Sequence, residues 1–171
     1  MSDQAGTASG GVQGEAEGAG VDVSDASVLI VDDNAQNREL LSAYLEELGC
    51  SVGFAADGAA ALSAMEASVP DLVLLDVMMP RMSGFQVCEW MKSRAETRGV
   101  PVIVVTALNE VGDVERAVDA GADDFLTKPV NRLELVVRVK SLLRVGRLQR
   151  RLEDAERAVD RLRDGRAIDP T

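Results

Sequence analysis

Three aspartates stand directly after short apolar runs in this sequence. Asp76 follows residues 72–75, and the pair Asp32 and Asp33 follows residues 28–31. Such runs are typical of strands buried on both faces, and open α/β sheets bind their ligands at the carboxyl ends of such strands. Taken alone, Asp76 is also compatible with an N-cap of the next helix. Three clustered carboxylates repel one another unless a cation is present, and all-oxygen ligation favours Mg²⁺.

Two further polar groups stand at the ends of later predicted strands. Thr106 follows residues 102–105, and Lys128 follows residues 124–127. A hydroxyl donor and a positive charge are both suited to phosphoryl oxygens. With a carboxylate nucleophile and a metal ion that neutralises charge, these groups are the parts needed for phosphoryl transfer to Asp76.

Five strands must position these groups. Strands are predicted over 28–31, 51–55, 72–76, 102–105 and 124–127, and helices over 35–48, 59–67, the segment after Gly84, 110–120 and the segment after Asn131. This alternation predicts an α/β fold, a five-stranded doubly wound parallel sheet with helices on both faces. In the flavodoxin-like strand order 2-1-3-4-5, the switch point lies between strands one and three, where the three aspartates would meet.

The composition limits the chemistry that this chain can perform. The chain has 171 residues, a net charge of -11 and no histidine. The absence of histidine excludes a Ser-His-Asp triad, histidine metal ligands and a phosphohistidine carried by this chain. The start of the sequence lacks the features of a signal peptide, and no apolar stretch is long enough for a membrane span. A cytoplasmic location without membrane partners is therefore expected.

The domain organisation is predicted from shifts in composition. Residues 1–26 are rich in Gly, Ala, Ser and acidic residues and contain no basic residue, which predicts a disordered leader. The α/β domain is expected over 27–143, an extended C-terminal helix over 144–165 and a disordered tail over 166–171.

The C-terminal helix carries a heptad pattern. Its apolar residues alternate three and four positions apart: Val145, Leu148, Leu152, Ala155, Val159 and Leu162. This spacing predicts a short parallel coiled coil and hence a homodimer. The alternative is a single amphipathic helix that folds back on its own domain. Arginines here are interleaved with acidic residues and no aromatic residue follows Phe125, so nucleic-acid binding is not expected.

Several short motifs occur in a characteristic order: Asp32-Asp33, Asp76-x-x-Met79-Pro80-x-Met82-x-Gly84, Thr106-Ala107 and Lys128-Pro129. Together they resemble the receiver domain of bacterial two-component response regulators, over residues 27 to about 143. The resemblance implies that Asp76 accepts a phosphoryl group from the phosphohistidine of a sensor histidine kinase or phosphotransfer protein. It also implies that Lys128 pairs with the phosphoryl group and that the bond to Pro129 is cis.

The resemblance further implies a metal site. Asp33, Asp76 and the backbone carbonyl of Met78 would bind Mg²⁺, and Asp32 would act through water. In this family, the positions of Met78 and Leu108 border the water that attacks the phosphoryl group. Both side chains are apolar, so slow self-dephosphorylation is predicted.

A switch and a dimer contact are also implied. Thr106 would move toward the phosphoryl group, and Phe125 would turn inward behind it, although simple core packing explains Phe125 equally well. Asp124 and Arg138 match positions that form cross-dimer pairs in one branch of the family. They would add to the contacts of the C-terminal helix.

Three functions are compatible with these observations. The favoured function is a signalling module that accepts phosphate by self-catalysis, is otherwise not an enzyme, and acts by dimerisation or partner docking with no output enzyme in this chain. The second is the N-terminal part of a longer regulator, such as a cyclic-di-GMP enzyme. The third is an aspartyl-phosphate phosphatase of the haloacid type, but that class has a second aspartate where Met78 stands.

Overall fold

The computed structural model describes residues 22–107 and 111–166. The strands are β1 (Ser27–Val31), β2 (Ser51–Ala55), β3 (Leu72–Asp76), β4 (Val102–Thr106) and β5 (Asp124–Thr127). The helices are α1 (Ala35–Leu45), α2 (Gly58–Ala67), α3 (Gly84–Ser93), α4 (Val111–Asp119) and α5 (Arg132–Arg166).

The five strands form one parallel sheet in the order β2-β1-β3-β4-β5. The predicted fold class and strand order are therefore confirmed. All residues of β3 and β4 are buried, as the continuous apolar runs indicated. The strand order reverses direction between β1 and β3, so their carboxyl ends border the crevice in which the sequence predicted a site.

Helices cover both faces of the sheet. Val73 and Leu75 of β3 pack in a core with α2 and α3, whereas Leu72 and Leu74 pack in a second core with α1 and α5. Successive strand side chains point to opposite faces, so an unbroken apolar run serves both cores. This double coverage gives the carboxylate at the end of β3 a rigid support.

The first helix is shorter than its apolar pattern predicted. The α-helix ends at Leu45 and continues as a single 3-10 turn over Glu46–Leu48. Gly49 then takes a φ of 70°, a left-handed conformation that glycine adopts without steric cost. The predicted stop at this glycine is correct, but the last turn is tighter than an α-helix.

The end of the segment predicted as a disordered leader, residues 1–26, packs against the domain. Val23 and Ala26 are buried in the core beneath α1 and α5, and the Ala26 carbonyl accepts a hydrogen bond of 2.9 Å from the Ser51 N–H. This segment is held by packing against the domain. Its local composition gives no sign of that packing. The rest of the predicted leader, residues 1–21, lies outside the described residues.

The last helix is continuous from the domain into its extension. Helix α5 passes the expected boundary at 143 without a break and includes residue 166, where a tail was predicted. Residues 167–171 lie outside the part of the chain that the structure describes. Arg147 pairs with Asp25, and Arg150 pairs with Asp71, so polar contacts tie the start of the extension to the domain.

The apolar residues of this extension are exposed in the single chain: Val145, Leu148, Leu152, Val159 and Leu162. In the single chain this apolar face is not packed on the domain, although Arg147 and Arg150 of the same helix contact the domain. Pairing with a second helix stays a prediction. No helix among the described residues is both long and apolar enough to cross a membrane.

Candidate functional site

A lysine bridges two buried carboxylates at the carboxyl end of the sheet. Lys128 Nζ lies 3.0 Å from Asp32 Oδ2 and 3.3 Å from Asp76 Oδ1. Asp32 follows β1, Asp76 ends β3 and Lys128 follows β5. The two carboxylates are only 1% and 4% exposed, so the cation compensates charges that have little access to water.

Asp33 completes a cluster of three carboxylates. One oxygen each from Asp32, Asp33 and Asp76 lies within 4.8 Å of the others. Asp33 is exposed, whereas the other two are buried, so the cluster opens to solvent on one side. Hard carboxylate oxygens with access to water are the donor set that Mg²⁺ prefers. The residues present therefore fit the implied cation.

The protonation of the site follows from burial and charge. Burial raises the pKa of Asp76, and neighbouring Asp32 acts in the same direction, although Lys128 opposes both. Burial by itself would lower the pKa of Lys128, but its hydrogen bond to Asp32 and the charge of Asp76 raise it overall. Lys128 is therefore a permanent cation at neutral pH.

Backbone geometry connects Lys128 to the end of β4. The Lys128 N–H donates a hydrogen bond of 2.8 Å to the Thr106 carbonyl, and the Lys128–Pro129 peptide bond is cis, as the resemblance implied. The Thr106 side chain is buried at the carboxyl end of its strand. Phe125 of β5 is half-exposed. The proposed switch pair thus lies on two adjacent strands.

The loop after β3 borders Asp76. The Met78 N–H lies 3.4 Å from Asp76 Oδ1, a long hydrogen bond, and the Met78 side chain is 61% exposed. The backbone of Met78 therefore contacts the carboxylate, and its apolar side chain is exposed to solvent. Leu108, the other residue predicted to border the attacking water, lies outside the described residues.

Sequence reasoning missed the groups that hold Asp32. The Asn34 N–H donates to Asp32 Oδ1 at 2.8 Å, and the side-chain amide of Asn37 lies 3.2 Å from Oδ2. Arg38 donates to the Asp32 carbonyl at 2.7 Å. These three polar residues lie among the five that follow the aspartate pair, and that spacing was the available signal.

Asp124 and Arg138, which were predicted to contact a second copy, form an ion pair within the single chain. Arg138 donates to both carboxylate oxygens of Asp124, at 2.8 and 2.7 Å, and also to Glu134 at the preceding turn of α5. In the single chain this pair joins β5 to α5. Whether the same residues exchange partners across a dimer stays a prediction.

Comparison with known proteins gives a consistent result. A family model described as the response regulator receiver domain matches residues 28–140. Response regulator PleD of Caulobacter vibrioides is 45% identical over 119 residues, which cover 70% of this chain and 26% of that protein. Response regulator MprA of Mycolicibacterium vanbaalenii is 43% identical over 117 residues, which cover 68% of this chain and 50% of that protein.

Solved structures show the same similarity. The signal receiver domain of a signal transduction histidine kinase from Syntrophus aciditrophicus is 39% identical with a TM-score of 0.65, over 69% of this chain and 89% of that one. Chemotaxis protein CheY4 of Vibrio cholerae is 29% identical with a TM-score of 0.66, over 69% of this chain and 98% of that one. The chain spans about a quarter to a half of the length of the curated relatives just described.

Proposed function

The chain belongs to the response regulator receiver family, and we propose that Asp76 accepts a phosphoryl group from the phosphohistidine of a sensor histidine kinase or phosphotransfer protein. The observation that carries the proposal is the position of Asp76, buried at the end of β3 with Lys128 Nζ 3.3 Å from Oδ1. A nucleophilic carboxylate beside a fixed cation is the arrangement that phosphoryl transfer requires.

The reaction exchanges one bond to phosphorus for another. An Asp76 oxygen attacks the phosphorus atom, the bond from phosphorus to the donor imidazole nitrogen breaks, and that nitrogen keeps the electron pair. Lys128 and Thr106 then bind the phosphoryl oxygens, which carry the negative charge. Asp33, Asp76 and the Met78 carbonyl would hold Mg²⁺, with Asp32 acting through water. When bound, the ion neutralises charge between carboxylate and phosphoryl group.

An apolar groove beside Lys128 supports docking of the phosphoryl donor. The groove has a volume of about 450 Å³ and lies between α1 and the segment after β5. Its lining includes Leu40, which is exposed, together with Tyr44 and Pro129. An exposed apolar surface next to a reactive group is suited to a protein donor, because apolar contacts provide the affinity that a transient complex needs.

We propose that the signal leaves the domain through α5. With Val145 at position a of the heptad, Arg150 occupies position f, on the side of the helix opposite the apolar seam. Arg150 pairs with Asp71 of the domain, so the domain occupies the polar side and the seam stays accessible to a second copy. Phosphorylation would shift the switch residues Thr106 and Phe125 and favour dimerisation or docking of a partner.

A second proposal is that these residues are the receiver part of a longer regulator. It is favoured by the comparison, because the matched relatives are two to four times as long as the aligned segment. We also propose that the chain is cytoplasmic, makes no contact with nucleic acid and carries no output enzyme of its own. The phosphatase alternative is not favoured, because the exposed Met78 stands where that class requires a carboxylate.

The experiment is mass spectrometry of the purified chain after incubation with acetyl phosphate, with and without Mg²⁺. The expected result is a single phosphate adduct that requires Mg²⁺ and is absent from Asp76→Asn. Asp71→Asn is the matched control, since Asp71 lies one residue before the start of the same strand, and it should still form the adduct. An adduct that persists in Asp76→Asn would refute the assignment.

A further inference from the structure

Asp32 is a buried carboxylate with donors on both oxygens. Its Oδ1 accepts from the Asn34 N–H at 2.8 Å. Its Oδ2 accepts from Lys128 Nζ at 3.0 Å and from Asn37 Nδ2 at 3.2 Å, and Nδ2 also lies 3.4 Å from Oδ1. Because water has little access to Asp32, its charge and orientation depend on these protein groups.

The Lys128 ammonium group cannot lie equally close to Asp32, Asp76 and a phosphoryl group at the same time. In the unmodified chain it lies closer to Asp32, at 3.0 Å, than to Asp76, at 3.3 Å. A phosphoryl group on Asp76 would place new anionic oxygens near the same Nζ atom. As Lys128 turns to them, Asp32 Oδ2 loses its charged donor, and a buried acceptor without a partner is costly.

We propose that Asn37 is a positioning residue whose side-chain amide keeps the Asp32 carboxylate hydrogen-bonded and oriented when Lys128 turns toward the phosphoryl group. The inference rests on the proposed phosphorylation of Asp76. The side-chain hydrogen bonds described for Asn37 go to Asp32, and none of them goes to Asp76. Asn37 acts through Asp32, in the way that outer-shell partners orient the groups around a metal.

The backbone around Asn37 is suited to this task. Asn34 is the N-cap of α1, and its side-chain oxygen accepts from the backbone N–H groups of Gln36, at 2.9 Å, and Asn37, at 3.2 Å. The first turn of the helix is therefore held in place beside Asp32. A neutral amide also suits the role, because it can donate to Asp32 without repelling the nearby lysine.

The test uses two variants and a matched control. Asn37→Leu removes the amide donor but keeps the branching at Cγ, and Asn37→Asp keeps the shape but replaces the donor with a carboxylate. Gln36→Leu makes the same kind of change one position earlier, at an exposed side chain. Calorimetry measures Mg²⁺ binding to each protein, and then binding of beryllofluoride, a phosphoryl mimic, at saturating Mg²⁺. Urea unfolding is measured in parallel.

The two binding constants should respond differently. In Asn37→Leu, beryllofluoride affinity should fall about tenfold while Mg²⁺ affinity stays near the wild-type value, because Lys128 still serves Asp32 when no phosphoryl mimic is present. In Asn37→Asp, beryllofluoride affinity should also fall while Mg²⁺ affinity rises, because a fourth carboxylate attracts the cation. A general structural defect cannot move the two constants of Asn37→Asp in opposite directions.

Other outcomes would overturn the inference. If Asn37→Leu binds beryllofluoride as tightly as the wild type, or if both constants of this variant fall together with its stability, Asn37 has no positioning role. If the wild-type chain itself binds no beryllofluoride with Mg²⁺, the proposed function fails and this inference falls with it. The wild-type measurement therefore distinguishes the two failures.

Discussion

Gly84 lies directly against the backbone at the end of β3, where Asp76 is held. Its N–H donates a hydrogen bond of 3.0 Å to the Val77 carbonyl. A Cβ built on Gly84 would lie 2.9 Å from the Cα of Val77 and closer still to the Asp76 carbonyl oxygen. The glycine of the sequence motif therefore has a steric origin: α3 can begin here only if no side chain separates it from the strand end.

Gly84→Ala should consequently disturb both stability and the site. The methyl group would push against backbone atoms that cannot turn away, which costs about 1 to 3 kcal/mol in a packed region. Urea unfolding measures the loss, and phosphorylation by acetyl phosphate should slow because Asp76 shifts. Gly99→Ala is the control, since a Cβ there meets nothing within 4 Å. Equal stability of the two variants would contradict the steric account.

Asp76→Asn should stabilise the metal-free protein at neutral pH. Burial raises the pKa of Asp76 above 3.8, so the folded state holds this proton more tightly than the unfolded state. Stability therefore falls as the pH rises from 3.8 through the raised pKa, and it stays lower while Asp76 is ionised. The asparagine variant escapes this loss. Urea unfolding in EDTA across a pH series measures the effect. The free energy of unfolding of Asp76→Asn should exceed that of the wild type by a margin that grows as the pH rises toward neutrality.

Asp71→Asn is the control, because its expected effect on stability at neutral pH is opposite to that of Asp76→Asn. Burial acts to raise the pKa of Asp71, but hydrogen bonds from the Ser27 backbone and from Arg150 outweigh it and lower the pKa overall. The ionised form therefore stabilises the fold above pH 3.8, and this contribution is lost as the pH falls through the lowered pKa. Asp71→Asn should be less stable than the wild type at neutral pH. The account of Asp76 is wrong if both variants change stability in the same direction.

Met78→Asn should shorten the life of the phosphorylated state. The Met78 backbone N–H lies 3.4 Å from Asp76 Oδ1, and its exposed apolar side chain cannot orient water, whereas an amide can. The rate of phosphate loss, followed by mass spectrometry after removal of acetyl phosphate, should rise about tenfold. Met78→Leu keeps an apolar side chain and should decay at the wild-type rate. An unchanged rate in the asparagine variant would remove Met78 from the control of lifetime.

Val23→Ala tests the packing of the segment before β1. Val23 is buried in the core that α1 and α5 share, so removing two methyl groups should cost about 2 kcal/mol. Urea unfolding measures this difference. The same substitution at Val69, which is 45% exposed, should change stability by less than about 0.5 kcal/mol. If Val23→Ala leaves the free energy of unfolding unchanged, the segment before β1 does not stabilise the domain.

Leu152→Glu tests the seam of α5. In a parallel pair, two carboxylates would face each other at this a position, so the dissociation constant should rise at least about tenfold. Light scattering with and without acetyl phosphate and Mg²⁺ gives the mass. Leu133→Glu is the control, an exposed leucine of the same helix outside the heptad. If Leu133→Glu alone abolishes the dimer, the contact runs along the domain and not along the seam.

Much of this protein was predictable from local patterns. The apolar runs, the glycines and the order of the motifs specified five parallel strands, and they assigned Asp76, Asp33 and Lys128 to one edge of the sheet. These properties are encoded locally, because burial on two faces demands an unbroken apolar run and a parallel sheet brings all its carboxyl ends together. The strands, and the placement of these three side chains at one edge, could therefore be predicted from the sequence.

Tertiary structure alone decided the contacts between segments that are distant in the chain. Lys128 and Asp32 are 96 residues apart in the sequence, and only the fold brings this lysine within hydrogen-bond distance of both Asp32 and Asp76. The burial of Val23 and the pairing of Arg147 with Asp25 arise in the same way. The hydrophobic periodicity of the sequence does not predict such contacts, because they depend on how helices and strands pack against one another.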